Sequence, residues 1–341
     1  MSTVRRVVRS ASLRGYPELA RAVGLDPWAL MRRVGLPRRC LDDPETRVAA
    51  DAVARLLELS AFEAGVEDFG LQLASSRPLS NLGLLALVLR QEPTGLKALE
   101  TLCRHLNLLN TSLVARTETY GNIVVIAEDV LLDRPMPARQ SIELAVGVMF
   151  RVLRDVLGPD WRARSVDFMH RAPRHASAHR KLFGVDVRFG SPFNGIVCNS
   201  LDLERRLPRT DADLASYART FLERAVERAP EDAAESVRRL IQALLPGGRC
   251  TVDEVAQHLN IDRRTVHRRL RARGCTFSEL LRVVRRELAA RQLADTDRAA
   301  AEVAELLGFS SASAFAHWFR AEFGCTAGHW RQQARMRLAT S

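Results

Sequence analysis

In the C-terminal third of the chain, apolar positions recur at three- and four-residue intervals, in short blocks separated by turn residues. Val237, Leu240, Ile241, Leu244 and Leu245 make the first block, a predicted amphipathic helix ended by Pro246-Gly247-Gly248. Thr251-Val252-Asp253-Glu254 is a capping-box pattern, in which a hydroxyl and a carboxylate satisfy free amides at a helix start. Val255, Ala256 and Leu259 give that helix its buried side, Asn260-Ile261 makes a turn, and Asp262 is placed to cap the next helix. There Val266 and Leu270 stand one turn apart, and Gly274 ends the run. Phe277 to Leu293 predicts a longer helix with Leu280, Leu281, Val284, Leu288 and Leu293 as its stripe, broken by Asp295-Thr296-Asp297. The design then repeats. Val303, Ala304, Leu306 and Leu307 support a Gly308 turn, Ser310 is expected to cap, and Phe315 and Phe319 pack inward four residues apart. Gly324 stops this helix, and a last one around Trp330 covers the core. The pattern predicts an all-α region with two helix-turn-helix units joined by a linker helix.

The preceding two thirds read differently. Up to about residue 80 the pattern is largely helical, with one stripe at Leu19, Ala22 and Val23, a helix start at Asp26-Pro27, and another stripe at Val53, Leu56, Leu57 and Ala61. Leu82 to Leu89 and Leu96 to Leu109 are apolar helix candidates that could line a small-molecule pocket and could equally be plain core, so no effector contact is named. Ser112 to Thr119 and Asn122 to Glu128, separated by Tyr120-Gly121, predict a β-hairpin. Helix returns over Ile142 to Leu157 and Ser177 to Phe183, with strands over Val166 to His170, Val185 to Phe189 and Gly195 to Asn199. The expectation is a two-domain chain: a mixed α/β N-terminal domain over 1–205, a charged connecting segment over 206–235 with a helix of its own, and the helical domain over 236–338.

Charge sharpens that division. Of a net +11 for 341 residues, the stretch from Ala234 onward holds +7, from 18 Arg against 11 acidic residues. Such local basicity is the electrostatic footprint of nucleic-acid binding. Lys97 and Lys181 are the only lysines. No apolar run is long enough to span a membrane and no secretion signal opens the chain, so a cytoplasmic location is expected. Cys40, Cys103, Cys198, Cys250, Cys275 and Cys325 lack zinc or dithiol spacing and are expected to be free thiols.

Opposite the anchors Val266 and Leu270, the first turn-flanked helix carries Arg263, Arg264, His267, Arg268 and Arg271. A helix that reads duplex DNA needs this combination, with apolar anchors behind and long donors in front for guanine edges and phosphates. In the second unit Ser311, Ala312, Ser313, Ala316, His317 and Arg320 face outward. Ala312 and Ala316 donate no hydrogen bond, although a methyl group can touch thymine. The second helix is therefore expected to read bases weakly and to hold phosphates through Ser311 and Arg320.

The C-terminal region resembles the DNA-binding domain of the AraC/XylS family of bacterial transcription regulators. The resemblance rests on Ala289, the Ala304 to Phe309 stretch with its Gly308-Phe309-Ser310 turn, Ser313, Phe315, Phe319-Arg320, Gly324 and Thr326, and covers roughly 236–335. His317 stands where the family usually has Arg, and Ala327 where proline is common. The resemblance implies two recognition helices held in successive major grooves by a rigid linker helix, with Arg264, His267 and Arg268 as base readers of the first unit. Ala312, Ser313, Ala316 and His317 would occupy those places in the second. Asp68-Phe69-Gly70-Leu71, Gly83-Leu84-Leu85, His170-Arg171-Ala172-Pro173 and Leu182 to Phe189 resemble the domain called arabinose-binding in one branch of that family. That likeness implies effector sensing, dimerisation, or both, with promoter DNA and RNA polymerase as partners and a small-molecule effector of unknown identity.

No hydrolase, metalloprotease, P-loop or dinucleotide motif is present, and neither a catalytic residue nor a cofactor is expected. His170, His175 and His179 cluster, but flanking Arg171, Arg174 and Arg180 would repel a metal cation, so surface or partner-bonded histidines are expected. His105 is expected to be a hydrogen-bonded core or interface histidine. The reading from a different class is a ligand-binding sensor or enzyme whose basic helices dock a protein instead of DNA.

Overall fold

The computed structural model describes residues 6–134, 136–208, 217, 218, 220, 233–245, 250–259, 261–296 and 298–339. The predicted breaks at Pro246-Gly247-Gly248, Asn260 and Asp297, and most of the 206–235 connecting segment, lie outside the described residues. The chain forms two compact units, one within Arg5–Ala229 and one within Pro230–Ser341.

The N-terminal unit has two cores sharing one helix. Helices α1 (Tyr16–Ala22), α2 (Pro27–Arg33), α3 (Ala50–Ala64) and α4 (Phe69–Ser75) surround the first, with Leu13, Tyr16, Leu56, Leu57, Phe69 and Leu73 fully or almost fully buried. A small antiparallel ladder of β1 (Val7–Arg9) and β2 (Arg47–Ala49) joins this region, unforeseen because three-residue strands carry no readable alternation. The fully buried positions of α1 are Tyr16, Pro17 and Ala20; of the expected stripe, Leu19 and Val23 are half-buried against this core and Ala22 is exposed. The reason is the Tyr16 ring, which takes the core position by packing edge-on against Phe69 and hydrogen-bonding Ser60.

The second core lies on a five-stranded sheet of β3 (Leu113–Tyr120), β4 (Ile123–Val130), β5 (Ser165–Phe168), β6 (Asp186–Phe189) and β7 (Asn194–Asn199), in the order β3-β4-β7-β5-β6. Only β5 and β6 run parallel; the crossover between them carries α8 (Ser177–Phe183). Helices α5 (Leu84–Leu89), α6 (Gly95–Leu109) and α7 (Arg139–Leu157) supply the apolar layer over the sheet. Short α9 (Ser200–Glu204) follows β7. Helix α7 is central: Leu144 joins the first core, while Val146, Met149, Phe150 and Val152 join the second. It crosses α4 so closely that a Cβ on Gly70 would fall 1.9 Å from the Gln140 carbonyl oxygen. The same Gln140 locks the crossing, since its Oε1 accepts from the Gly70 amide at 2.8 Å and its Nε2 donates to the Glu67 carbonyl at 3.0 Å.

The C-terminal unit is all helical: α10 (Ala233–Leu244), α11 (Val252–His258), α12 (Arg263–Ala272), α13 (Phe277–Asp295), α14 (Ala300–Leu306), α15 (Ala312–Phe323) and α16 (Ala327–Ala339). One continuous core runs through both helix-turn-helix units, from Val237 and Ile241 through Val255, Val266 and Leu270 to Val303, Leu307, Phe315 and Phe319. Of the stripe expected on α13, Val284, Leu288 and Leu293 are buried and Leu280 and Leu281 are half-buried, while Ala289 and Ala290 are buried as well.

Candidate nucleic-acid interface

Three of the four helices of the turn units start on a side-chain cap; α14 follows Ala299, which has none. At α11 the Thr251 hydroxyl accepts from the Glu254 amide at 3.1 Å. At α12, Asp262 accepts from the Thr265 amide and hydroxyl, both at 2.8 Å, and these bonds, the hydroxyl foremost, hold its carboxyl below the usual range. At α15 the expected cap, Ser310, gives way to Ser311, whose hydroxyl accepts from the Ala314 amide at 3.1 Å. The one-residue displacement follows from geometry. Phe309 stays in the turn with its amide bonded to the Ala304 carbonyl, and the extended residue at φ −159° is Ser311.

With Val266 and Leu270 buried, α12 turns Arg263, Arg264, His267, Arg268 and Arg271 toward one open groove. All but the half-buried His267 are exposed. Arg263 pairs at 3.5 Å with Asp253 of α11, so it braces the unit as well as facing outward. Arg268 donates from Nη2 to the Thr265 hydroxyl of its own helix at 3.4 Å. On α15, with Phe315 and Phe319 fully buried, Ala312, Ser313, Ala316, His317 and Arg320 are exposed along one side. The hydroxyl of Ser311, also exposed, is engaged as acceptor in the cap and keeps its proton to donate.

The linker helix α13 grips both units. It opens on a full capping box in which Glu279 accepts from the Thr276 amide at 2.8 Å and the Thr276 hydroxyl accepts from the Glu279 amide at 3.2 Å. Arg238 of α10 pairs with Glu287, and Arg282 reaches Glu322 of α15 at 3.3 Å. Arg285 donates from Nε to the Leu307 carbonyl at 3.0 Å and from Nη2 to the Gly308 carbonyl at 3.4 Å, while its guanidinium lies 4.9 Å from the Phe309 ring centre. Gly308 has φ +68°, the left-handed conformation that favours glycine. These ties were missed in the sequence, where Arg285 reads as one more basic surface residue.

The histidine expectations also resolve. His170 and His179 are buried and approach the same Glu143 oxygen at 3.3 and 3.2 Å, with Arg139 Nε at 3.1 Å. Burial, only partly offset by Glu143, pushes His170 down to about 4. His175 is exposed. His105 Nδ1 lies 2.8 Å from the Thr101 carbonyl oxygen. Among the described residues no group of His, Cys, Asp or Glu could hold a metal ion, and no helix is long and apolar enough to cross a membrane. Among the described residues no disulfide joins the cysteines.

Residues 24–207 match the model of the arabinose-binding N-terminal domain of AraC transcription regulators, and residues 255–333 match a helix-turn-helix domain. The chain is 32% identical over 330 residues to the HTH-type transcriptional regulator VirS of Mycobacterium tuberculosis, covering 95% of this chain and 96% of that one. The chain belongs to the AraC family of transcription regulators. It is thus an AraC-family DNA-binding transcription regulator with a helix-turn-helix domain, joined to a mixed α/β N-terminal domain. The ornithine utilization regulator of Pseudomonas aeruginosa is 29% identical over 56% of this AraC-family chain and 58% of its own. Among solved structures, the transcriptional regulator CdpR from Pseudomonas aeruginosa matches 89% of this chain and 97% of its own at 21% identity, with a TM-score of 0.43.

Proposed function

We propose that this regulator reads two successive major grooves of promoter DNA, with α12 as the main base reader and α15 as the weaker one, under control of a small-molecule effector on the N-terminal unit. The observation that carries the reading is the shared scaffold of α13. Its 19 residues extend about 28 Å at the helical rise, close to the roughly 34 Å between successive major grooves on one DNA face. Arg264, His267 and Arg268 are proposed to reach base edges, with Arg263 and Arg271 on flanking phosphates. In the second unit Ala312, Ser313, Ala316 and His317 are proposed to lie on the bases, and Ser311 and Arg320 on phosphates. The domain limits are taken as 1–205 and 236–338. A homodimer on adjacent half-sites, contacting RNA polymerase and located in the cytoplasm, completes the proposal. Control is linkage: a ligand preferring one arrangement of the N-terminal unit changes how two C-terminal units sit on DNA.

The test is selection of bound sequences from a random duplex pool by the full-length protein near physiological salt. Two short blocks about 10 base pairs apart are expected. One block alone would remove base reading from α15. Enrichment of no sequence, with affinity insensitive to salt, would remove DNA reading altogether in favour of a protein partner.

A further inference from the structure

We propose that the cavity between the two cores of the N-terminal unit is the effector site, and that it takes a small organic acid, an apolar body bearing one carboxylate, with the anionic end held by Arg77. This rests on the effector control proposed above and assigns its chemistry. The cavity has a volume of about 150 Å³. Leu57 comes from the first core, Leu102 and Leu106 from α6, and Leu144 and Met149 from α7. A dry aliphatic void of about this size admits a molecule as large as benzene.

Polar side chains interrupt this lining, Arg9, Asn81, Ser112 and Arg151 among them, and two that are buried in it, Arg77 and Glu128, lack partners. Arg77, just beyond α4, is 9% exposed, and its Nε and Nη2 meet no hydrogen-bond acceptor. Burial lowers it only to about 10, so it stays charged at neutral pH. An unpaired guanidinium in an apolar wall is costly, and a ligand carboxylate matching its fork supplies the missing acceptors. Glu128 of β4 is 5% exposed, and neither carboxyl oxygen has a partner. Burial pushes it up to about 8, so at neutral pH it is mostly a neutral acid and does not cancel Arg77.

The approach favours the same ligand sign. An open cleft adjoining the cavity shares Arg77, Pro78, Asn81 and Arg151 with it, and adds Arg14, Arg154 and Lys181. Glu18 is the acid among the described lining residues of that cleft, and exposed Asp155 stands at the cavity's own rim. A basic mouth concentrates anions at the point where the apolar wall begins. The cavity selects against bulk, the mouth against cations, and Arg77 for a planar acid.

Titration calorimetry on the full-length protein with hexanoate and benzoate, beside hexanamide, benzamide and hexylamine, tests this without any variant. The acids are expected to bind at least about tenfold tighter than their amides, the equivalent of one charge-assisted hydrogen bond. Arg77→Met should erase that preference while sparing amide binding. Arg77→Lys, which keeps the charge without the fork, should retain part of it. Amides or the amine binding as tightly as the acids, or no member binding, overturns the assignment. Acid binding with unchanged DNA affinity leaves this assignment standing and removes effector control.

Discussion

Arginine serves the two units in opposite ways. On α12, Arg264, Arg268 and Arg271 stand in water with no carboxylate against them among the described residues. In the N-terminal unit Arg77 is enclosed by an apolar cavity, its Nε and Nη2 equally without acceptors. Water makes the first arrangement cheap, so the exposed cluster costs little stability while it waits for a polyanion. The second is paid for by the fold, and whatever pairs with Arg77 returns that cost as binding energy coupled to the unit's stability. On the proposed reading, charge outside sets affinity and salt dependence, and charge inside sets linkage.

The largest effect that could break this contrast is on Glu128, the cavity's buried carboxyl group. Glu128 is raised from 4.5 to about 8, so the folded state keeps a proton that the unfolded chain releases near 4.5. Its contribution is therefore fully present below about pH 4.5 and is lost as pH rises toward 8. Glu128→Gln, which has no proton to lose, should be near neutral at pH 5 and more stable than the parent by on the order of 5 kcal/mol at pH 9. Denaturant melts at the two pH values measure it. An equal effect at both would mean that Glu128 is paired and the cavity wall is not as dry as its lining suggests.

Arg77→Met should come next, stabilising the ligand-free protein by about 1–3 kcal/mol because it removes a buried unpaired charge at little cost in volume. The matching surface change, Arg268→Ala, should move stability by less than about 0.5 kcal/mol. It should instead cost about 1–3 kcal/mol in affinity for the selected site and relax preference at one base position. His317→Ala on α15 should cost less than Arg268→Ala if the second helix mainly grips phosphates. A uniform loss on every sequence for Arg268→Ala would make it a phosphate contact and equalise the two helices.

How much of this was legible follows the same division. The C-terminal scaffold was, because Val266, Leu270, Phe315 and Phe319 repeat at helical spacing and their caps are local, within three residues. The outward residues of both helices could be named for the same reason. Cap placement failed at Ser310 because adjacent serines are equivalent in sequence and only the Phe309 turn bond separates them. The cavity was not legible. Its apolar helices read equally as plain core, and Arg77 falls in a Ser-Ser-Arg-Pro run that looks like an exposed loop. One signal was there: Glu128 shares the inward face of β4 with Val124 and Ile126, an acid at an apolar position. The sheet order and the Glu143 cluster depend on contacts between residues tens of positions apart, which periodicity does not encode.

The smallest effect separates two roles carried by one hydroxyl. Ser311 caps α15 and is also proposed to touch a phosphate. Ser311→Ala removes both, and losing the cap should cost about 1 kcal/mol of C-terminal stability. Ser311→Asp keeps a capping acceptor and adds a negative charge favourable to the helix start, so stability should hold. Facing DNA, that charge repels the backbone, and affinity should fall further than in Ser311→Ala. Ser313→Ala, exposed one turn-step inside the helix, should leave stability unchanged and report only on DNA. If Ser311→Asp binds DNA like the parent, Ser311 is a cap alone, and the second helix meets the backbone through Arg320.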